Sequence, residues 1–218
     1  IDIDDEGWGE LENTWAAIRT AYQDDQGNQI GYPQGYSYGG LFYNKEMFAA
    51  AGIDAAQIQS MDDLYAAAEK LVKGGYTTYG TSFHPDGFYF NAVLGREGIP
   101  YYDNNNGYSG KITECLYVSD ATANAAIKNM LTVYQNLHAN NYCVPYGTDY
   151  NKEIIPMIAE GSCASMIGVV SMTTKILKAV DGKFEVGIIP LPSATENGKR
   201  TGEAAGGTGN FIANCTNK

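Results

Sequence analysis

The sequence predicts an α/β fold, and three observations carry that reading. Short apolar runs bounded by glycine or proline, GLFY at 40–43, SCASMIGVV at 162–170 and FEVGIIPLP at 184–192, have the length and composition of strands. Other segments place apolar residues at helical spacing, as in ATANAAIKNMLTVYQNLH at 121–138. The two kinds alternate along the chain instead of collecting in separate halves.

Taken in order, LENTWAAIRTAY at 11–22 sets Leu11, Trp15, Ile18 and Tyr22 on one helical face before QDDQGNQ breaks the pattern. GLFY is a strand, and NKEMFAAAG a short helix starting near Asn44 and ending at Gly52. Ser60 with Asp63 makes a capping-box start for a helix whose buried stripe is Leu64, Ala67, Ala68 and Leu71. TTYGTSF at 77–83 reads as a strand, His84–Gly87 as a loop, and FYFNAVLGREG as a helix. YYDNNNGYSG at 101–110 is turn chemistry throughout. In the helix over 121–138 the expected inner face is Ile127, Met130, Leu131 and Tyr134. NKEIIPMIAEG is a helix with Pro156 in its early part, followed by the SCASMIGVV strand and a loop near Ser171. Two prolines stop FEVGIIPLP, and the polar, glycine-rich stretch up to Gly209 is a hairpin or a crossing before a final strand beginning FIA.

The chain has 218 residues, 44% of them hydrophobic, which is enough for a full core in one large or two modest domains. Its 14 Lys and Arg against 25 Asp and Glu give a net charge of −11, with no basic run to follow a phosphate backbone, so nucleic acid is not an expected partner. No apolar run approaches the roughly 20 residues of a membrane span, and IDIDDEGW has neither part of a signal peptide. The absence of an initial Met and the abrupt end after FIANCTNK suggest part of a longer protein. Cys115, Cys143, Cys163 and Cys215 lack metal-ligand spacing, so no metal is expected, and disulfides are not inferable. Cys163, inside an apolar run, reads as a buried free thiol.

The series LFYNKEMFAAAGID, SMDDLYAAAEKL, IAEGSCASMIG, VGIIPLPS and GGTGNFIA resembles, in order and spacing, the carbohydrate-binding extracytoplasmic solute-binding proteins of ABC importers. GIPYY and NNGYSG further resemble the branch that takes glycerol-3-phosphate or glycerophosphodiesters. Where that branch carries tryptophans after the TSF-like strand, this sequence has His84 and Phe88. The resemblance implies a periplasmic-binding-protein fold of the Venus-flytrap type II class, with two α/β lobes joined by crossing strands, here as an incomplete chain. Residues 1–40 would end the first lobe and make the first crossing, near Gln34 to Leu41. Residues 41–187 would form the second lobe, and 188–218 the return crossing. It implies a monomer that closes an interlobe cleft on a sugar, polyol or glycerophosphate, delivers it to ABC permease subunits, and needs no cofactor. The location would be periplasmic, or lipid-anchored at the outer face of the cell membrane.

Sugars and polyols present C–H faces to aromatic rings and hydroxyls to polar groups. On the resemblance, the expected contacts are Tyr36, Ser37 and Tyr38 at the first crossing, His84 and Phe88 after the TSF strand, Ser171, and Gly206, Gly207 and Thr208 at the second crossing. Without it, Tyr36–Tyr38 is an ordinary aromatic turn and His84 a solvent-facing loop residue, while Ser171 serves equally as a helix N-cap. Tyr22, Tyr65 and Tyr134 fall on helix faces and belong to the core, and His138 at a helix end is placed for the last carbonyls. The enzyme alternative is a glycoside hydrolase, but no carboxylate pair is marked for it: Asp62 and Asp63 are first-turn helix charges, and Asp4, Asp5 and Glu6 a solvated run. A serine hydrolase would want GxSxG in a strand-to-helix turn and a nucleotide binder a phosphate loop there, whereas AGGTGN precedes a strand.

Overall fold

The run GLFY extends by one residue at each end to form β2, Gly39–Asn44, in which Leu41 and Phe42 are fully enclosed. A strand covered on both faces reads as a continuous apolar run, which is why no alternation marks it. In this computed structural model β2 is flanked by β3, Ser165–Val169, and β4, Val186–Ile189, both antiparallel to it in the order β3-β2-β4. Leu41 stands opposite Ile167 on one side and Ile189 on the other. The structure describes residues 11–24, 26–83, 87–145, 149–200, 202–203 and 205–211. The chain forms two compact units, residues 38–204 and residues 1–37 with 205–218.

TTYGTSF does not form a continuous strand, but it widens the sheet of the 38–204 unit. Tyr79 bridges Cys163 and Thr81 bridges Cys143, both in parallel, so the segment lies between the start of β3 and residues 142–144. The backbone bonds Ala164 N–H to Tyr79 C=O (3.0 Å) and Val144 N–H to Thr81 C=O (3.0 Å) tie its two sides. Gly80 fits there because a Cβ would come within 2.6 Å of the Ala68 carbonyl oxygen.

The helices follow their capping signals. Asn44 caps α2, Lys45–Ala50, its side chain accepting from the Met47 N–H at 2.9 Å. Ser60 and Asp63 form the reciprocal capping box of α3, Met61–Lys73, whose buried residues include Leu64, Ala67, Ala68 and Leu71. Ser60→Ala removes the acceptor for the Asp63 N–H and is expected to cost about 1 kcal/mol, read as a lower urea midpoint with an unchanged slope. α4 is Gly87–Gly95, and α5 is Ala121–Ala139, capped by Asp120 through the Ala123 N–H at 2.9 Å.

The inner stripe of α5 differs from expectation. Ala123, Ala126, Met130, Val133 and Leu137 are buried, whereas Leu131 is 49% exposed and Ile127 and Tyr134 are half-buried. α5 is tied to α3 where the Asn129 amide donates to the Asp62 carboxylate (2.7 Å), and the same amide donates to the Ala194 carbonyl (2.9 Å). Pro156 falls at the start of α6, Ile155–Glu160, where its missing N–H is one the helix would leave unpaired, and the preceding Tyr150–Ile154 turn is wider. Gly161 closes α6 in the left-handed conformation at φ 79°, and α7 is Thr173–Val180.

In the other unit β1, Gly31–Ser37, pairs antiparallel with β5, Gly206–Phe211. Only Phe211 of the expected FIA strand lies within the described residues. The expected helix over 11–22 is broken into a 3-10 turn, Leu11–Asn13, and a short α1, Ala16–Thr20. Trp15 sits between them in an extended conformation and is 62% exposed, so it does not share the buried side of Leu11. Asn13 and Thr14 favour caps and turns over helix interior, which accounts for the break. The QDDQGNQ turn is built on Asp24, whose carboxylate accepts from the N–H groups of Gln26 (2.9 Å) and Asn28 (2.8 Å).

Cys115, Cys143 and Cys163 are free thiols, and Cys215 lies outside the described residues. Burial raises the Cys143 thiol to about 11 and Cys163 further, so both behave as small apolar core residues, as read for Cys163. His138 packs edge-on against Tyr134, with ring centroids 4.6 Å apart. Its buried Nε2 has no partner among the described residues, and burial lowers its pKa, so this histidine serves packing where a helix-end contact was expected.

Candidate ligand-binding site

Within the 38–204 unit, a cavity of about 770 Å³ opens beside α4. It is bordered by Asn91 and Gly95 of α4, by the Tyr101–Tyr102 pair, by Ile112, and by Glu203. That volume lies within the range of small-molecule sites, and the mixture of rings with a few polar groups is typical of them.

The aromatic wall is held from behind. Tyr117 is 2% exposed and donates its hydroxyl to the Leu94 carbonyl at 3.0 Å, anchoring the end of α4. Its ring lies 5.0 Å from Tyr101, which lies 5.2 Å from Tyr102. Burial pushes the phenol pKa values of Tyr117 and Tyr101 up, so both keep their protons at neutral pH. Tyr102 is 38% exposed and presents its ring at the rim.

The rim itself is the YYDNNNGYSG segment. Asn104, Asn105 and Asn106 are all left-handed, at φ 49°, 53° and 58°, followed by Gly107 at 88°. Asparagine tolerates this region better than most side-chain-bearing residues. The turn is closed by Asp103, whose carboxylate takes the Thr113 hydroxyl, the Thr113 N–H (2.9 Å) and the Glu114 N–H (3.3 Å). Those bonds, the Thr113 hydroxyl foremost, hold the Asp103 carboxyl below its ordinary pKa. The Asn106 side-chain oxygen accepts from the Tyr102 N–H at 2.8 Å, fixing that ring's backbone to the turn.

Behind α4, Glu97 is 6% exposed and accepts from the Thr195 N–H (2.7 Å) and hydroxyl (2.9 Å). Arg96 donates from Nε to the Leu191 carbonyl (3.1 Å) and from Nη1 to the Arg200 carbonyl (3.0 Å). These bonds tie the polar stretch after β4 to α4 and deliver Gly202 and Glu203 to the cavity wall.

The residues singled out in the sequence fall in several places. Tyr36, Ser37, Gly206, Gly207 and Thr208 share the β1–β5 ladder, with Tyr36 opposite Gly207 and Ser37 opposite Gly206. A Cβ on Gly207 would lie 2.6 Å from the Gly35 carbonyl oxygen, so the strands approach closely there. Tyr36 is 44% exposed and its ring lies 5.8 Å from Trp15, while the Ser37 hydroxyl is buried with no partner among the described residues. In the other unit, the Tyr38 carbonyl accepts the Val170 N–H at 3.0 Å, which brings Tyr38 beside Ser171 in the turn Val170–Met172. Ser171 is exposed and is not the N-cap of α7, a position held by Met172 without a side-chain bond. Phe88 is half-buried on α4, its ring 5.4 Å from Tyr89. His84 lies outside the described residues.

Sequence reasoning missed the cavity. GIPYY and NNGYSG were noticed for a family likeness, but nothing local pointed to Tyr117 or Glu203, which reach the same space from distant parts of the chain.

The chain belongs to the bacterial extracellular solute-binding protein family, whose model matches residues 2–218. An arabinooligosaccharide-binding protein of Halalkalibacterium halodurans is 25% identical over 191 residues, which are 87% of this chain and 41% of that protein. The ABC transporter associated binding protein of B. animalis subsp. lactis Bl-04, solved with beta-1,6-galactobiose, superposes at a TM-score of 0.73 with 22% identity, covering 97% of this chain and 50% of that one. UgpB of Mycobacterium tuberculosis, solved with glycerophosphocholine, gives 0.67 at 18% identity, covering 100% and 51%. The fold is therefore that of periplasmic-binding-protein-type substrate-binding proteins. The chain spans about two-fifths of the length of that curated relative and about half of these solved chains. These relatives are binding proteins, the family is extracellular by description, and the glycoside-hydrolase alternative is not favoured. Among the described residues no helix is long and apolar enough to cross a membrane.

Proposed function

We propose that this protein is the solute-binding component of an ABC importer, capturing a carbohydrate or glycerol-phosphate-type ligand and passing it unaltered to a membrane permease. The observation that carries the reading is the cavity beside α4: tyrosines packed edge to face with Asn91, Asn106 and Glu203 at its wall, in a chain of this family. Rings accept the C–H faces of a sugar or polyol, and the polar groups accept or donate to its hydroxyls. The name of the curated arabinooligosaccharide-binding relative favours a carbohydrate, and the likeness to UgpB keeps glycerophosphates in view.

Tyr36, Ser37, Gly206, Gly207 and Thr208 on the β1–β5 ladder, and Tyr38, Phe88, Ser171 and His84, are carried forward as proposed ligand contacts. So are the lobe boundaries 1–40, 41–187 and 188–218, a monomeric state and attachment to the membrane by a lipid. A thermal-shift panel on the full-length protein tests the reading. A solute at 100 times its Kd raises stability by about 2.7 kcal/mol, visible as a melting point several degrees higher. Stabilisation by an arabino- or galacto-oligosaccharide, or by a glycerophosphate, is the expected result. A melting point indifferent to every member of the panel contradicts it.

A further inference from the structure

We propose that Glu203 is the ligand-reading carboxylate of the cavity beside α4, accepting a hydroxyl of a neutral saccharide; this rests on the solute-binding function above and narrows its ligand class. Glu203 lines the cavity, and its Oε1 is shut off from solvent with no hydrogen-bond partner among the described residues. Its carboxylate takes the backbone N–H of Gly39, so the side chain is held at one side and unsatisfied at the other. A buried acceptor without a donor is costly to the unliganded protein, and a donor arriving with the ligand removes that cost. Burial raises the Glu203 pKa, the Gly39 N–H and Arg96 act against that rise, and Arg96 itself directs Nε and Nη1 to the carbonyls of Leu191 and Arg200. Accepting a ligand hydroxyl requires Oε1 to turn about the Glu203 side-chain torsions toward the cavity that the residue borders.

The remainder of the wall decides the class of ligand. The described residues that line the cavity include Asn91, Asn106, Tyr101 and Tyr102 but no Lys, Arg or His. A phosphate dianion would meet a carboxylate with no cation lining the cavity, and Arg96 behind it already gives Nε and Nη1 to backbone carbonyls, so the dianion is disfavoured in a partly desolvated site. A quaternary ammonium suits tyrosine rings but has no N–H to give Oε1. A neutral sugar supplies both what the rings and what the carboxylate lack: a C–H face and a hydroxyl donor.

Calorimetric titration of the full-length protein and its Glu203→Gln variant with arabinotriose, beta-1,6-galactobiose, glycerol-3-phosphate and glycerophosphocholine tests this. Gln keeps the shape and an oxygen for the Gly39 N–H, so a role confined to tying that backbone survives the change. The charge-assisted bond to a hydroxyl does not, and the expected result is saccharide binding weakened on the order of 10- to 100-fold at an unchanged melting point. Should the variant lose its fold, Tyr102→Ala at the exposed rim reads the same cavity and is expected to weaken the same saccharide. Saccharide binding untouched by Glu203→Gln in a folded variant, or by Tyr102→Ala, overturns this inference and leaves the solute-binding function standing. Glycerol-3-phosphate or glycerophosphocholine bound more tightly than either saccharide overturns the neutral class, and no binding of any probe by the wild type overturns both.

Discussion

Phe42→Ala is expected to lower the stability of the 38–204 unit by about 3–5 kcal/mol, the range for emptying an aromatic ring from a closed core. Phe42 is 1% exposed and sits on the central strand, opposite Met166 of β3 and Ile188 of β4. Truncation removes packing in the middle of the three-stranded sheet, where neighbours tied on both sides by backbone bonds collapse poorly into the space. Urea unfolding followed by tyrosine fluorescence reads the loss as a lower midpoint. A stability within about 1 kcal/mol of wild type contradicts the central place given to β2.

The second large effect runs the other way, from adding atoms. Gly80→Ala places a Cβ within 2.6 Å of both the Cβ and the carbonyl oxygen of Ala68 on α3. Backbone cannot swing aside as a long side chain does, so either α3 or the 79–82 segment must shift. Overpacking of this kind costs about 1–3 kcal/mol, and the pairing of Gly80 N–H with the Tyr142 carbonyl (2.9 Å) puts the strain inside the widened sheet. Gly87→Ala is the matching control, since among the described residues nothing lies within 4 Å of a Cβ there. Thermal unfolding of the pair is expected to show a drop for Gly80→Ala alone, and equal melting points would show that the α3 contact is not tight.

The parts of the fold legible in the sequence are those with local causes. The capping box of Ser60 and Asp63 and the Asn44 cap each satisfy N–H groups a few residues away, and both starts fell where read. β2, β3 and β4 are legible because each is an apolar run of strand length with a glycine or proline at one end. The failures have non-local or competing causes. The α5 stripe differs because alanine reads as neutral in a pattern, yet Ala123 and Ala126 are on the buried side of the helix. The helix over 11–22 was overextended because Trp15 matched the spacing while Asn13 and Thr14 stopped the backbone.

The cavity was the least legible feature. Asn91, Tyr101, Tyr117 and Glu203 come from separate segments, and the hydroxyl of Tyr117 on Leu94, the Asp103 turn and the Arg96 and Glu97 ties help bring them to one wall. None of those bonds leaves a period or a motif. The family likeness, by contrast, was legible from five segments in order, and it agrees with the match over residues 2–218.

Calorimetry of the full-length protein with a panel of neutral oligosaccharides and glycerophosphates, followed by chromatography of the recovered solute, tests the central claim most directly. The account predicts saturable one-to-one binding of a panel member and its return chemically unchanged. A solute recovered cleaved or otherwise converted, or no binding across the panel, would contradict it.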